Sequence, residues 1–160
     1  MGLATSPGQT PPHSNASSTQ GLLRVDEIKV IYDGAILAVS GVSLLVPQGG
    51  IVALLGANGA GKSTTLKAIS GLVRADRASI SRGAIHCQGQ STAQIAPNEL
   101  VQRGIVHVLE GRHVFPHLTV EENLKSGAFV RKPSKQALSD ALERIYHWFP
   151  RLKDKRKVQA

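Results

Sequence analysis

The stretch Gly56-Ala57-Asn58-Gly59-Ala60-Gly61-Lys62-Ser63 constrains this chain more than any other. It follows directly on the apolar run Ile51-Val52-Ala53-Leu54-Leu55, so the order reads as strand, phosphate loop, helix. In the spacing G-x-x-x-x-G-K-[ST] the glycines let the backbone fold into a nest whose N–H groups point at phosphate oxygens. The lysine reaches the β- and γ-phosphates and the hydroxyl after it can hold Mg²⁺. The helix starting near Ser63 adds its positive dipole end to the same spot. Residues Gly56, Ala57, Asn58, Gly59, Ala60, Gly61, Lys62, Ser63 and Thr64 are therefore the candidate phosphate-binding set, with Ser63 the candidate metal ligand.

With 160 residues, 41% of them hydrophobic, the chain has the length of one domain and enough apolar surface for a sizeable core. The first twenty residues are rich in Ser, Thr, Pro, Gln and Asn and have no apolar centre, so residues 1–20 read as a disordered leader and residues 21–160 as the domain. Within that leader, Gly2 to Ser6 fits a myristoylation pattern and Asn15-Ala16-Ser17 a glycosylation sequon; both are short patterns in low-complexity sequence and read as chance matches. No run approaches the length of a membrane span. The single cysteine, Cys87, has no internal partner, which suits the cytosol. Half of the net charge of +8 comes from Arg151, Lys153, Lys155, Arg156 and Lys157 against Asp154, which reads as a solvated, partly frayed end and argues against a nucleic-acid partner.

Leu22 to Tyr32 and Ala35 to Val46 read as two antiparallel strands joined at Asp33-Gly34, and Ile51 to Leu55 as a buried strand. From Ser63 to Leu72 a helix should press Leu66, Ile69 and Leu72 onto the sheet. After a polar turn at 74–77, Ala78 to Gln88 reads as a strand broken at Gly83, carrying His86 and Cys87 as strand residues with no partner cluster for a metal. A short helix from Pro97 stops at Gly104, and Ile105 to Leu109 reads as a second buried strand. It runs into the loop Glu110 to Pro116, the kind of strand end where ligands bind in α/β sheets. Thr119 and Glu122 have the spacing of a capping box, which accounts for the adjacent carboxylates Glu121 and Glu122 better than acid–base chemistry does. Ser134 caps a last helix whose stripe of Leu138, Ala141, Leu142, Ile145 and Phe149 should end at Pro150, with Trp148 and Phe149 as core or interface aromatics.

Taken together, Tyr32, GANGAGKST at 56–64, VLEGRHVFPHLTVEENL at 108–124 and WFPRLKDKRK at 148–157 resemble the ATP-binding subunit of an ATP-binding-cassette (ABC) importer, and more narrowly the branched-chain amino acid subfamily. The resemblance covers residues 22–160. It implies an α/β fold of the P-loop NTPase type: an antiparallel β-subdomain and an incomplete parallel core sheet with flanking helices. It further implies ATP and Mg²⁺ as cofactors. Tyr32, 24 positions before Gly56, matches the aromatic that stacks on adenine; Lys62 matches the phosphate-binding lysine, and Ser63 the magnesium ligand. Glu110 falls where the wider family has a glutamine that senses metal and attacking water; a carboxylate there can still coordinate Mg²⁺ or orient water, so the resemblance makes Lys62 and Glu110 the candidate catalytic residues and Ser63 and Glu110 the candidate metal ligands. Glu-Gly-Arg is the usual form in the subfamily, although Leu109 replaces the proline common before it.

The same resemblance implies partners: integral membrane permease subunits, a second ATP-binding subunit, and a peripheral place on the cytoplasmic face of the membrane, with no contact to the transported solute. The family's LSGGQ-like signature, metal-holding aspartate, catalytic glutamate and switch histidine have no counterpart in these 160 residues, so the chain is expected to be an N-terminal portion that holds ATP more than it splits it, with apolar sheet edges exposed. Two alternatives stay open: a soluble ABC-type ATPase acting on nucleic acid or ribosomes, and a non-functional truncated product.

Overall fold

The computed structural model describes residues 21–111 and 113–160. The expected leader and the two short modification patterns lie outside them. A four-stranded antiparallel sheet has the order β2-β1-β3-β4, with β1 at Leu23–Tyr32, β2 at Ile36–Val46, β3 at Ala78–Cys87 and β4 at Gln90–Ser91. The expected hairpin is present: Leu23 pairs with Val46 and Tyr32 with Ile36 around the Asp33-Gly34 turn. The short return strand β4, opposite His86 and Cys87, had no signal in the sequence.

Gly83 does not break β3. It faces a bulge in β1, where Glu27 takes φ +42° and the register slips between Asp26 and Lys29. The extra residue shifts the buried phase of β1 from Val25 to Ile28 and Val30, which keeps all three in the core. A Cβ on Gly83 would sit 2.3 Å from the Asp26 carbonyl oxygen, and Gly83 itself has φ +83°, so only glycine seats the bulge.

Helix α1, Lys62–Ile69, packs on this sheet through Thr65, Ala68 and Ile69; of the anticipated stripe Ile69 is buried and Leu72 half-buried, in the turn that follows. Leu66 is exposed, because the helix rolls its small residues towards the sheet. The polar stretch after it is a turn of 3₁₀-helix, Leu72–Asp76, whose Val73 joins the core. Helix α2, Pro97–Gln102, follows, with Pro97 at its first position and its end before Gly104, as expected; it buries Leu100.

The two runs expected to be buried strands are neither paired nor buried. Among the described residues, 51–55 and 105–109 have no ladder partner, and Ile51 and Val108 are 99% and 89% exposed. A strand buried on both faces needs a neighbour on each edge to satisfy its N–H and C=O groups, and no described residue supplies one. Of the second run, Ile105 alone reaches the core.

Helices α3, Val120–Ser126, α4, Lys135–Trp148, and α5, Pro150–Asp154, form a separate layer. Pro150 does end α4, but it also opens α5 at the first helical position, where its missing N–H costs nothing. Along α4, Leu138, Ala141, Leu142 and Ile145 are half-buried, while Tyr146 is the residue that goes fully under. Trp148 and Phe149 are exposed and are not core. Nor does the basic tail fray. Val120 and Glu121 donate their backbone N–H groups to the carbonyls of Val158 and Arg156, and Ala160 donates to Leu118. With the Thr119 hydroxyl accepting from Glu122 N–H and the Glu122 carboxylate accepting from Thr119 N–H, the first turn of α3 has no free donor left. No helix among the described residues is long and apolar enough to cross a membrane.

Gly83→Ala should lower unfolding stability by more than the ~1–2 kcal/mol of a left-handed L-residue alone, because the clashing atoms are backbone and cannot swing away. Thr119→Ala should cost about 1 kcal/mol, measured by denaturant titration. Hydrogen bonds from Thr119 hold the Glu122 carboxyl below its ordinary value of 4.5. Its contribution is therefore present above that value and lost as pH falls through the lower folded one, and the gap between wild type and Thr119→Ala should narrow on acidification below pH 4.5.

Candidate functional site

The phosphate loop lies between the unpaired run 51–55 and α1. Gly59 and Gly61 have φ of +83° and +84°, the left-handed geometry that turns successive N–H groups to one side. A Cβ on Gly61 would stand 2.6 Å from the Ala38 carbonyl oxygen and 3.0 Å from the Val39 side chain, so the loop is seated directly on β2. A turn bond from Ala60 N–H to the Ala57 carbonyl closes its tip.

The N-terminus of α1 differs from those of α3 and α4. Gly61 provides no capping side chain and the first turn holds no acidic residue, whereas Ser134 caps α4 through Ala137 N–H and Thr119 caps α3. The N–H groups of Gly59, Gly61, Lys62, Ser63 and Thr64 have no acceptor among the described residues. Such a cluster of open donors at the positive end of a helix is suited to a phosphate chain. Lys62 Nζ reaches back across the loop and donates to the carbonyls of Gly56 and Ala57, both at 2.7 Å. An ammonium has three protons, so one remains for a phosphate oxygen.

Two open clefts meet at Lys62, Ser63 and Glu110. One, about 570 Å³, extends past Asn58, Gly59 and Thr64 to Leu37 and Ala38 of β2; the other runs along α1 to Leu66 and His107. The structure thus brings Glu110 to the mouth of the phosphate loop from the end of the 105–109 run. A serine hydroxyl and one carboxylate are hard oxygen donors, few enough to leave the remaining Mg²⁺ positions to phosphates and water, as that ion prefers. No group of three or more His, Cys, Asp or Glu gathers among the described residues, so a metal here would depend on the nucleotide it accompanies.

Tyr32 ends β1 with its ring half-buried against the core and its hydroxyl 3.4 Å from the Thr64 hydroxyl. That places it beside the second helical residue after Lys62. Two positions that the sequence did not suggest are Leu37 and Ala38, which form a wall of the cleft; their spacing resembles any strand alternation. A third is Asn123 of α3. Its amide donates to the carbonyls of Phe115, Leu118 and Thr119 and its oxygen accepts from Phe115 N–H, pinning the far end of the loop that carries Glu110.

Fold and site define an α/β nucleotide-binding domain of the phosphate-loop class. The family model described as ABC transporter matches residues 39–160, and the chain belongs to that family. It is 37% identical over 139 residues to the high-affinity branched-chain amino acid transport ATP-binding protein BraG of Pseudomonas aeruginosa, a match covering 87% of this chain and 56% of BraG. To the sn-glycerol-3-phosphate import ATP-binding protein UgpC of Brucella abortus it is 36% identical over 114 residues, 71% of this chain and 30% of UgpC. A solved ATP-binding subunit of an ABC transporter superposes with a TM-score of 0.71 at 32% identity, covering 86% of this chain and 54% of that one. The chain therefore spans about half the length of BraG and of that subunit.

Gly61→Ala should fail in two ways at once, through left-handed strain of ~1–2 kcal/mol and through a clash that pushes the loop off β2. The expected outcome is a lower unfolding midpoint together with loss of phosphate-ligand binding, read by calorimetry on the same sample.

Proposed function

We propose that this chain supplies the ATP- and Mg²⁺-binding part of the energising subunit of an ABC importer, and that branched-chain amino acids are the transported class. The observation that carries the nucleotide reading is the row of N–H groups at the uncapped start of α1 that have no acceptor among the described residues, in the loop that the Lys62 ammonium spans. In this reading Gly56 to Thr64 would cradle the phosphates, Ser63 and Glu110, which line the same clefts, would hold Mg²⁺, and Tyr32 would offer its ring to the adenine. Bound Mg²⁺ would neutralise charge on the phosphates; the residues present bind and orient them. The solute class rests on the similarity to BraG, and the solute itself would never touch this chain.

In the same proposal the chain works at the cytoplasmic face of the membrane, docked to permease subunits and facing a second ATP-binding subunit. The exposed Trp148, Phe149 and Phe129 support a protein partner for the helical layer. Among these 160 residues no apolar run ends in Asp-Glu, so this stretch holds the binding half of the chemistry and not the step that activates water.

Calorimetric titration with Mg-ATP tests the reading. Lys62→Ala should weaken binding about tenfold or more, the loss of a hydrogen bond from a charged donor. Tyr32→Ala should weaken it about fivefold or more through lost base stacking, with Tyr32→Phe close to wild type. A folded wild-type chain that binds no Mg-ATP would overturn the assignment.

A further inference from the structure

The tether between His107 and Ser70 is built into the site but has no place in the chemistry described so far. Ser70, buried at the C-terminal end of α1, has its hydroxyl 2.9 Å from the Leu66 carbonyl and 2.7 Å from His107 Nδ1. A hydroxyl has one proton, and the bond back to the carbonyl four residues earlier is the usual choice of a helical serine. With that proton given to Leu66, the oxygen must accept from His107, which fixes the proton on Nδ1 and leaves Nε2 as the acceptor nitrogen. Among the described residues this is the hydrogen bond that joins the run 106–110 to α1. It stands three positions before Glu110, in a run with no ladder partner to hold it. The far end of the same segment is pinned by Asn123 on Phe115.

These contacts close a ring: Ser63 at the start of α1, Ser70 at its end, His107, Glu110, and back to the cleft that Ser63 and Glu110 share. We infer that His107 is a positioning residue, which through Ser70 keeps Glu110 at the cleft it shares with Ser63 and so sets the Mg²⁺-dependent part of nucleotide binding. The inference rests on the ATP reading above. The phosphate loop is seated separately, through Gly61 on β2, and His107 makes no hydrogen bond to it among the described residues, so the metal-free interaction with the triphosphate is not expected to pass through His107.

The test compares ATP titrations with and without Mg²⁺ for the full chain and for His107→Ala, Ser70→Ala and His107→Asn, the last retaining an amide donor near the Nδ1 position. Wild type should gain affinity on adding Mg²⁺. His107→Ala and Ser70→Ala should lose about fivefold of that gain, the worth of one net hydrogen bond, with metal-free affinity unchanged, and His107→Asn should recover most of it. An undiminished gain in His107→Ala, an equal loss with and without Mg²⁺, or no recovery in His107→Asn would overturn the inference. Independently of nucleotide, ¹⁵N NMR should show the Nδ1–H tautomer for His107 in the wild-type chain; the Nε2–H tautomer would remove the tether. A wild type that binds no ATP removes the functional reading and with it the role at the metal, while the tautomer still decides whether the tether exists.

Discussion

The contact of Gly61 with the carbonyl of Ala38 is the constraint on which the site depends. At that one point the phosphate loop, the start of α1 and the strand β2 are locked in register, because a backbone without a Cβ can lie against another backbone and a larger residue cannot. The direction of α1 follows from it, and with it the faces that Thr65, Ala68 and Ile69 present to the sheet. Tyr32 and Leu37 fall beside the loop for the same reason, since β1 and β2 are paired across the Asp33-Gly34 turn. The antiparallel sheet is thus more than a lid on the core; it is the surface against which the nest keeps its shape.

Much of this was legible in the chain before any coordinates. The phosphate loop has a spacing with a mechanism, the β1–β2 hairpin has its turn, and the Thr119–Glu122 capping box formed as its spacing requires. The errors share a cause, which is that periodicity reports what a residue would prefer and not what stands next to it. Ile51 to Leu55 and Ile105 to Leu109 have the composition of buried strands, yet a ladder needs a second edge and none is present among the described residues. Leu66 fits an apolar stripe, but the roll of α1 was set by Gly61 and turned it outward. Gly83 was a break by composition and a seat for the Glu27 bulge in fact, because its meaning lay in the facing strand.

The residues proposed for the site divide along the same line. Lys62 and Ser63 are visible because a local motif dictates them. Tyr32 became visible only through resemblance, and Glu110 gained its role that way although its loop had the look of a ligand-binding strand end, as both are distant in sequence from the loop they approach. Ser70 and His107 gave no sign at all, since they meet through one long-range hydrogen bond, and Asn123 gave none because its four bonds follow the path of a loop that neither spacing nor composition encodes.

Lys62 has a thermodynamic consequence of its own. With its ammonium resting on the Gly56 and Ala57 carbonyls, the four-carbon stem is already ordered before any phosphate arrives. The rotamer entropy of such a side chain, on the order of 1.5–2 kcal/mol, is then charged to folding and not to ligand capture. In the proposed role, the loop would then meet a phosphate chain with this side chain already placed.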